Sequence, residues 1–450
     1  MTLAAEVCNK IGDNRQLAEI YVHCKKWDEA FQLAERHPEY SAIVYRPYAV
    51  WLIENDRFED AQEAFRKAEM PQEAIRVLQV LTRNSVLERR FSAAAYYFWH
   101  LSMGVLSELQ QQQAEQGSVS SVTRRKFEAF QQTASLYYAY HFIHLFVEEP
   151  FTSHTEDSLF NMARYLVLHL GAEPLDGISR ATVLYTLAAK ARSLGAFKVA
   201  RFAYQQLRKL RLPDNIREHV ELGALTIQTK PFTDDESLVP ICYRCSSPNP
   251  LVPEDQKAAA AGAPLACTQC HQPFVFSFYS FEVLPVVEFV VADGISDDEA
   301  QRLIKNDSMV SSSRGGGDAR GSAQVLSLDG DGGDGDEDPF TAALTNFSGT
   351  AYEPVVADRA MLRAMPSSEV IVQRWPAPLH TRYFRNVMPD IAVAHCKSCN
   401  RLFDGDNYEA AVLKSHACPF CRAKVDINGD LIDPTQVGIV AGGHVGSSSA

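Results

Sequence analysis

The chain is short of positive charge. Its 450 residues carry 43 Lys and Arg against 56 Asp and Glu, a formal net charge of −13. An acidic chain repels phosphate backbones and anionic lipid surfaces, so no nucleic-acid partner is expected. Long apolar runs are also missing. The best stretch, Val283 to Ala292, is interrupted by Pro285 and Glu288. It falls well below the roughly 18 residues of a membrane span, so no transmembrane segment is expected. The opening MTLAAEVCNK has no basic stretch leading into an apolar one, so no export signal is expected and the compartment reads as cytoplasm. The familiar catalytic signatures are absent too: there is no H-E-x-x-H, P-loop or nucleophile elbow. Gly330 to Gly335 matches G-x-G-x-x-G only formally, because six acids between Asp329 and Asp338 would repel a pyrophosphate. The expectation is a chain that is not an enzyme.

Cysteine is scarce except in pairs. Of ten cysteines, Cys8 and Cys24 stand alone. The other eight form four C-x-x-C pairs: Cys242/Cys245, Cys267/Cys270, Cys396/Cys399 and Cys418/Cys421. Without an export signal a disulfide framework is not expected, and pairs at this spacing read as metal ligands. Two knuckles supply four thiolates at the corners of a tetrahedron, the arrangement zinc prefers, although iron accepts the same donor set. The expectation is two structural zinc ions, one held by residues 242, 245, 267 and 270, the other by residues 396, 399, 418 and 421. Four protein ligands leave no coordination position for water or substrate. His271, His395 and His416 lie beside ligands but are not needed to complete either set. Phe274 to Val291 reads as strand-rich, making the first site a zinc ribbon. Asn407 to Lys414 reads as a short helix inside a second, separate knuckle module. A RING-type cross-brace would need eight interleaved ligands in one compact unit, and 125 residues separate the second and third pairs.

The first half repeats itself. Tyr45, Tyr48, Ala49 and Leu52 share a helical face, followed by Ala61, Phe65 and Ala68 on a second helix. The same offsets return at Leu184, Leu187, Ala188 and Ala191, then Ala200, Tyr204 and Leu207. A weaker copy is Leu17, Ala18 and Tyr21, then Ala30 and Ala34. Small residues at a crossing point let two helices approach, and the aromatic fills the groove to the next hairpin. This is the logic of a tetratricopeptide-like solenoid. Gln110–Gln113 and the following Gly117–Ser121 read as a loop. One stripe, Lys198, Arg201, Arg208 and Lys209, puts four cations on one helical face and is a candidate surface for an acidic partner.

The fold class expected is therefore mainly α: a tetratricopeptide-like solenoid over 1–230, then a first four-cysteine zinc-ribbon module over 231–305. An acidic Gly/Ser-rich linker expected to be disordered follows over 306–350. A second four-cysteine module with its preceding extended segment spans 351–425, and 426–450 form a flexible tail. Ser296-x-x-Glu299 is expected to cap a helix from Asp297 to Ile304, and Val370 to Trp375 to form a strand.

The phrases PICYRCSSPNPL, CTQCHQPFVFSFYSFEVLPVVEF, RWPAPLHTRYFR and HCKSCNRLFDGDNYEAAVLKSHACPFCRA occur in that order. They resemble the carboxy-terminal half of the 122-kilodalton WD-repeat subunits of intraflagellar transport complex A. The resemblance runs from residue 1 to about 425 and leaves out the acidic insert. That family begins with two WD-repeat propellers, which are not found here, so the chain reads as a carboxy-terminal portion. The resemblance implies a non-enzymatic scaffold of ciliary transport trains, acting in retrograde transport and in ciliary import of membrane proteins. It implies contacts with the other complex A subunits, WD-repeat and tetratricopeptide relatives. Indirect partners would be complex B trains, retrograde dynein and a tubby-like membrane-cargo adaptor. The implied location is the cytoplasm, basal body and cilium or flagellum. The residues alone also suit a vesicle-coat or tethering subunit and, less well, a RING-like ubiquitin ligase.

Overall fold

A computed structural model describes residues 7–425, apart from 9, 56, 118–119, 150–153, 171–174, 253–264, 312–337 and 350. Most of the linker and the tail expected at 426–450 lie outside the described residues. The chain divides into two compact units. One comprises Met1–His141 with Leu175–Ile178, the other Phe142–Pro174 with Ser179–Ala450.

The first unit is built of helices: α1 (Asn14–His23), α2 (Trp27–Arg36), α3 (Ser41–Glu54), α4 (Phe58–Lys67), α5 (Pro71–Leu87), α6 (Phe91–Gln116) and most of α7 (Ser121–Glu148). One turn recurs between them. The N–H of the last residue before a helix reaches five residues back: Lys26 to Tyr21 O at 3.0 Å, Met70 to Phe65 O at 3.0 Å and Arg90 to Ser85 O at 2.8 Å. The residue before each donor, Lys25, Glu69 or Arg89, sits at positive φ. This left-handed cap satisfies the carbonyls a helix leaves open at its end and reverses the chain within two residues. The repeat positions face inward. Ala49, Leu52 and Ala61 are fully buried, with Phe65 and Ala68 nearly so. Alanines at the crossing remove side-chain bulk, and Phe65 packs with Leu78 and Tyr97 in one cluster. The glutamine run is helical and not a loop. α6 continues through Gln110–Gln113, and Gly117 in the left-handed region ends it. Glutamine is a good helix former, and the stop came from glycine.

In the second unit α8 (Glu156–His169), α9 (Arg180–Leu194), α10 (Phe197–Leu207) and α11 (Asp214–Thr226) continue the hairpins. The same turn returns, Ala196 N to Ala191 O at 2.8 Å, now with Gly195 at positive φ. Leu184, Leu187, Ala188 and Ala191 are buried on α9, and Ala200, Tyr204 and Leu207 on α10. Tyr204 fills the groove to the next helix as the repeat requires. A Cβ added at Gly223 of α11 would lie 2.2 Å from its hydroxyl oxygen. The chain is mainly helical, a tetratricopeptide-type region followed by a cysteine-bearing β region.

That β region departs from the expected pair of separate modules. A mixed sheet has the order β2–β1–β4–β3: β1 (Val286–Val291), β2 (Val355–Ala357), β3 (Val370–Gln373) and β4 (Arg382–Asn386). β1 comes from the first cysteine segment and pairs parallel with β2 and antiparallel with β4, both from beyond the linker. Val286 and Val287, on opposite faces of β1, are both buried, as is Phe289, so the start of this strand is covered on both faces of the sheet. One face carries Phe289, Val355, Ala357 and Tyr383 against α12 (Asp297–Ser311), α13 (Pro339–Leu344) and α14 (Arg359–Ala364). Ser296 does cap α12, its Oγ accepting from Glu299 N at 3.2 Å, although the helix runs past Ile304 to Ser311. Part of the span expected as linker is ordered: Asp338 caps α13 and its carboxylate lies 2.6 Å from the Arg385 guanidinium, which also pairs with Glu369.

Candidate metal centres and their scaffold

Each cysteine set gathers its own four thiols. Within each, all four sulfurs lie within 4.8 Å of one another. Sγ of Cys242 is 3.6 Å from that of Cys270, and Cys245 is 3.6 Å from Cys267. In the second set Cys396 lies 3.7 Å from Cys421 and Cys399 4.0 Å from Cys418. Four sulfurs at ~2.3 Å from a tetrahedral zinc are about 3.8 Å apart, so the spacing fits that ion. Burial is nearly complete, with only Cys245 partly exposed. Burial pushes the Cys242 thiol up to about 11. Cys245, although burial opposes it, is brought down to about 7 by hydrogen bonds with Ser247 and its neighbouring thiols. Hydrogen bonds from the three other thiols hold Cys396 far below its ordinary range, while burial drives Cys399 far above. Four packed thiols cannot share negative charge without a cation among them; a bound divalent ion would supply that charge and hold all four deprotonated. Both sets are complete in sulfur, without His271 or His416.

The knuckles share one backbone device. The residue after the second cysteine takes positive φ and donates its N–H to the first cysteine's carbonyl: Ser246 to Cys242 at 2.7 Å, His271 to Cys267 at 3.1 Å, Asn400 to Cys396 at 2.8 Å and Arg422 to Cys418 at 3.0 Å. Three close with a bridge across the turn, Ile241 to Pro248, Ala266 to Pro273 and Ala417 to Lys424. The fourth closes in the hairpin of β5 (Val393–Cys396) and β6 (Arg401–Asp404). Asn249, itself buried, ties the first two together: its Oδ1 accepts from Thr268 N at 2.8 Å and its Nδ2 reaches Cys267 Sγ at 3.6 Å.

A fifth turn of the same build was not anticipated. Phe276 bridges to Val283, Phe281 sits at positive φ, and Phe281 N donates to Ser277 O at 3.0 Å. Ser277 N donates to Glu282 O at 2.8 Å, as Cys242 N does to Ser247 O at 3.0 Å. Ser277 and Ser280 thus stand where a knuckle carries its cysteines. The segment was expected as strand, because FVFSFYSF alternates in hydrophobicity; the spacing S-x-x-S before a positive-φ position was the available signal. Hydrogen bonds and rings hold this turn in place. Ser277 Oγ accepts from Asp404 N at 3.0 Å, and Phe278 N donates to Leu402 O at 2.8 Å. Phe278 lies under the Arg401 guanidinium, 4.4 Å from its ring centre, and edge-on to Phe420 at 4.7 Å. On its other side Phe281 packs against Tyr165 of α8 at 4.8 Å. Asp404 then caps α15 (Gly405–Ser415), accepting from Asn407 N at 3.1 Å.

Arg244, inside the first knuckle, was also missed. Its guanidinium is buried, donates to Leu344 O at 3.2 Å, Asn346 O at 3.1 Å and Glu353 O, and lies over Phe347. The basic stripe is only partly exposed. Lys198, Arg208 and Lys209 are exposed, but Arg201 donates to Pro231 O at 2.5 Å and to Lys230 O, with Phe232 against its plane. Among the described residues no helix is long and apolar enough to cross a membrane.

Two family models match this chain: "IFT122, TPR domain" over residues 1–182 and "IFT122, zinc ribbon domain" over 235–287. The chain is 43% identical over 432 residues to the intraflagellar transport protein 122 homolog of Danio rerio, 45% over 431 to that of Mus musculus and 44% over 436 to that of Homo sapiens. These matches cover 94%, 95% and 95% of the chain and 35%, 35% and 34% of the respective relatives. The chain thus spans about a third of the length of the curated relatives it matches. Helical hairpins, paired knuckles and near-complete alignment of the chain agree: it belongs to the intraflagellar transport protein 122 family.

Proposed function

We propose that this chain acts as a non-enzymatic scaffold within an intraflagellar transport A complex, with two structural zinc ions at its cysteine sites. The observation that carries this reading is the closure of both sulfur sets: each offers four protein donors, which leaves an ion no position for a reacting group. The hairpin array supplies extended surfaces for other subunits, and the cysteine body supplies a rigid end. Retrograde ciliary transport, import of membrane proteins, and indirect links to complex B trains, retrograde dynein and a tubby-like adaptor belong to the same proposal. So do placement at the basal body and cilium and in the cytoplasm. Lys198, Arg208 and Lys209 are proposed as a surface for an acidic partner, with Arg201 acting as an internal strap.

The test is affinity purification of the tagged chain from ciliated cells, with mass spectrometry of partners and elemental analysis of the product. Complex A subunits and about two equivalents of zinc are expected. Recovery of coat or tethering subunits without complex A members would overturn the assignment in favour of a vesicle-coat role. Robust E2-dependent ubiquitin transfer by the purified chain would overturn the non-enzymatic reading.

A further inference from the structure

β3 is an edge strand. Its register against β4 places Val370 opposite Arg385, Ile371 opposite Phe384 and Val372 opposite Tyr383, and Asn386 N donates to Glu369 O at 2.8 Å. In an antiparallel ladder the bonded positions alternate. The bond to Glu369 therefore assigns Ile371 and Gln373 to the β4 side and turns the N–H and C=O of Val370 and Val372 to the other edge, which pairs with no strand among the described residues. Unpaired edges of this kind are templates for a further strand. At the far end of β3 the position is fixed, because Gln373 Nε2 donates to Asn400 O at 2.8 Å and Asn400 Nδ2 to Arg374 O at 2.9 Å.

The side chains beside that edge have one chemistry. A cavity of about 400 Å3 lies between β3, α12 and the knuckle at Cys396, with Ile304, Val370 and Val372 forming its apolar part. Arg374 and Lys397 bring positive charge, and none of the lining residues is a carboxylate. Both cations are exposed, and among the described residues Arg374 makes no ion pair. The nearby carboxylate of Asp297 accepts from Tyr383 OH at 2.7 Å.

We propose that this edge and cavity receive an extended acidic peptide segment of a partner protein, which adds to β3 as a fifth strand. Backbone bonds to Val370 and Val372 would give the segment its extended form. Apolar side chains on one face of the segment would enter the cavity, and carboxylates on that same face, two residues on, would meet Arg374 and Lys397. The inference goes beyond complex membership by naming a surface and the chemistry it recognises.

The experiment measures fluorescence anisotropy of the full chain with three labelled probes: (Val-Thr-Glu-Thr)2, which carries Val and Glu on one face, the same peptide N-methylated at every amide, and (Val-Thr-Lys-Thr)2. The acidic probe is expected to bind, with affinity falling as salt rises, and the other two to bind at least about tenfold more weakly. Arg374→Glu with Lys397→Glu is expected to lower affinity for (Val-Thr-Glu-Thr)2 by at least about tenfold. Far-UV circular dichroism and metal content are expected to stay unchanged, since both side chains are exposed. Equal binding of (Val-Thr-Lys-Thr)2, equal binding of the N-methylated probe, or an unaffected double variant would each overturn the proposal. The probe comparison needs no variant, so it holds even if the double substitution disturbs folding. Loss of complex A partners in the affinity purification would leave this result untouched, which separates the two readings.

Discussion

Asp234 caps a helix far upstream of it: its Oδ1 accepts the backbone N–H of Lys198 at 2.8 Å, across 36 residues, and that of Val199 at 3.2 Å. The start of α10 carries no cap of its own, because the preceding residue is Ala196. A carboxylate satisfies two of the open donors and faces the positive end of the helix dipole. Arg201, one turn on, holds the carbonyls of Lys230 and Pro231. Asp234→Ala is expected to cost about 1 kcal/mol, read as a lowered urea midpoint, and Asp234→Asn about half of that. Equal stability of Asp234→Ala and the parent would show that the cap contributes nothing in solution.

Arg244 binds three carbonyls of the segment between α13 and β2, from inside the first knuckle. Arg244→Met keeps the length and apolar stem but leaves those carbonyls unpaired. The expected loss is about 2–4 kcal/mol, with the four thiols still in place. Protease cleavage in the Leu344–Glu353 segment should speed up, while metal content holds at the parental value. Loss of metal along with stability would mean that Arg244 supports the sulfur cluster directly.

Cys418 and Ser277 occupy the same position of two equivalent turns, and that equivalence separates metal from scaffold. Cys418→Ser is expected to lower bound zinc from two equivalents to one, because an alcohol is a poor substitute for a thiolate. Ser277→Ala is expected to leave both equivalents in place while costing roughly 1–3 kcal/mol, the penalty for orphaning Asp404 N–H. Elemental analysis of both proteins beside the parent decides it. Full zinc in Cys418→Ser, or a missing equivalent in Ser277→Ala, would contradict the assignment of roles.

His154 and His169 give the second unit a pH dependence. Burial lowers the pKa of each; Lys414 lowers His154 further, and for His169 a hydrogen bond with Tyr165 O partly offsets burial. The sign follows from linkage: the unfolded imidazoles take up protons near pH 6.5 and the folded ones only lower. Stability from this source is therefore full above about pH 6.5 and declines as pH falls through the depressed folded values. His169→Phe keeps the stack on Tyr165 and removes the titration. Its melting temperature is expected to gain on the parent between pH 7.5 and 5.5. A constant difference across that range would rule the histidine out as the source.

The repeat was legible because its requirements are local. Alanine at a crossing, an aromatic residue four positions on and a reversal between helices can all be read from offsets, and the same turn then recurs among the described residues. The two four-cysteine groups were legible for the same reason, since C-x-x-C is a spacing within one turn. What escaped needed partners distant in the chain. The strand Val286–Val291 could be anticipated, but not that its neighbours lie beyond residue 350. Arg244 looked like one more knuckle residue until the carbonyls of Leu344 to Glu353 came to it. The fifth knuckle escaped because its signal was a backbone conformation at Phe281, and its phenylalanines imitated a strand.

The position of β1 in the sheet has a consequence for incomplete chains. Its sequence is VVEFVV, and both of its partners, β2 and β4, are made later. A chain halted anywhere from residue 306 to 354 would contain the whole first cysteine site and would still present this strand with two bare edges. Such a segment, apolar and rich in β-branched residues, pairs readily with copies of itself. Premature stops in that interval are thus expected to yield sticky protein that accumulates or is degraded, while stops before Val286 release a shorter chain without that hazard. Truncations on either side of residue 286 would then differ in kind, one a simple loss and the other a burden on quality control.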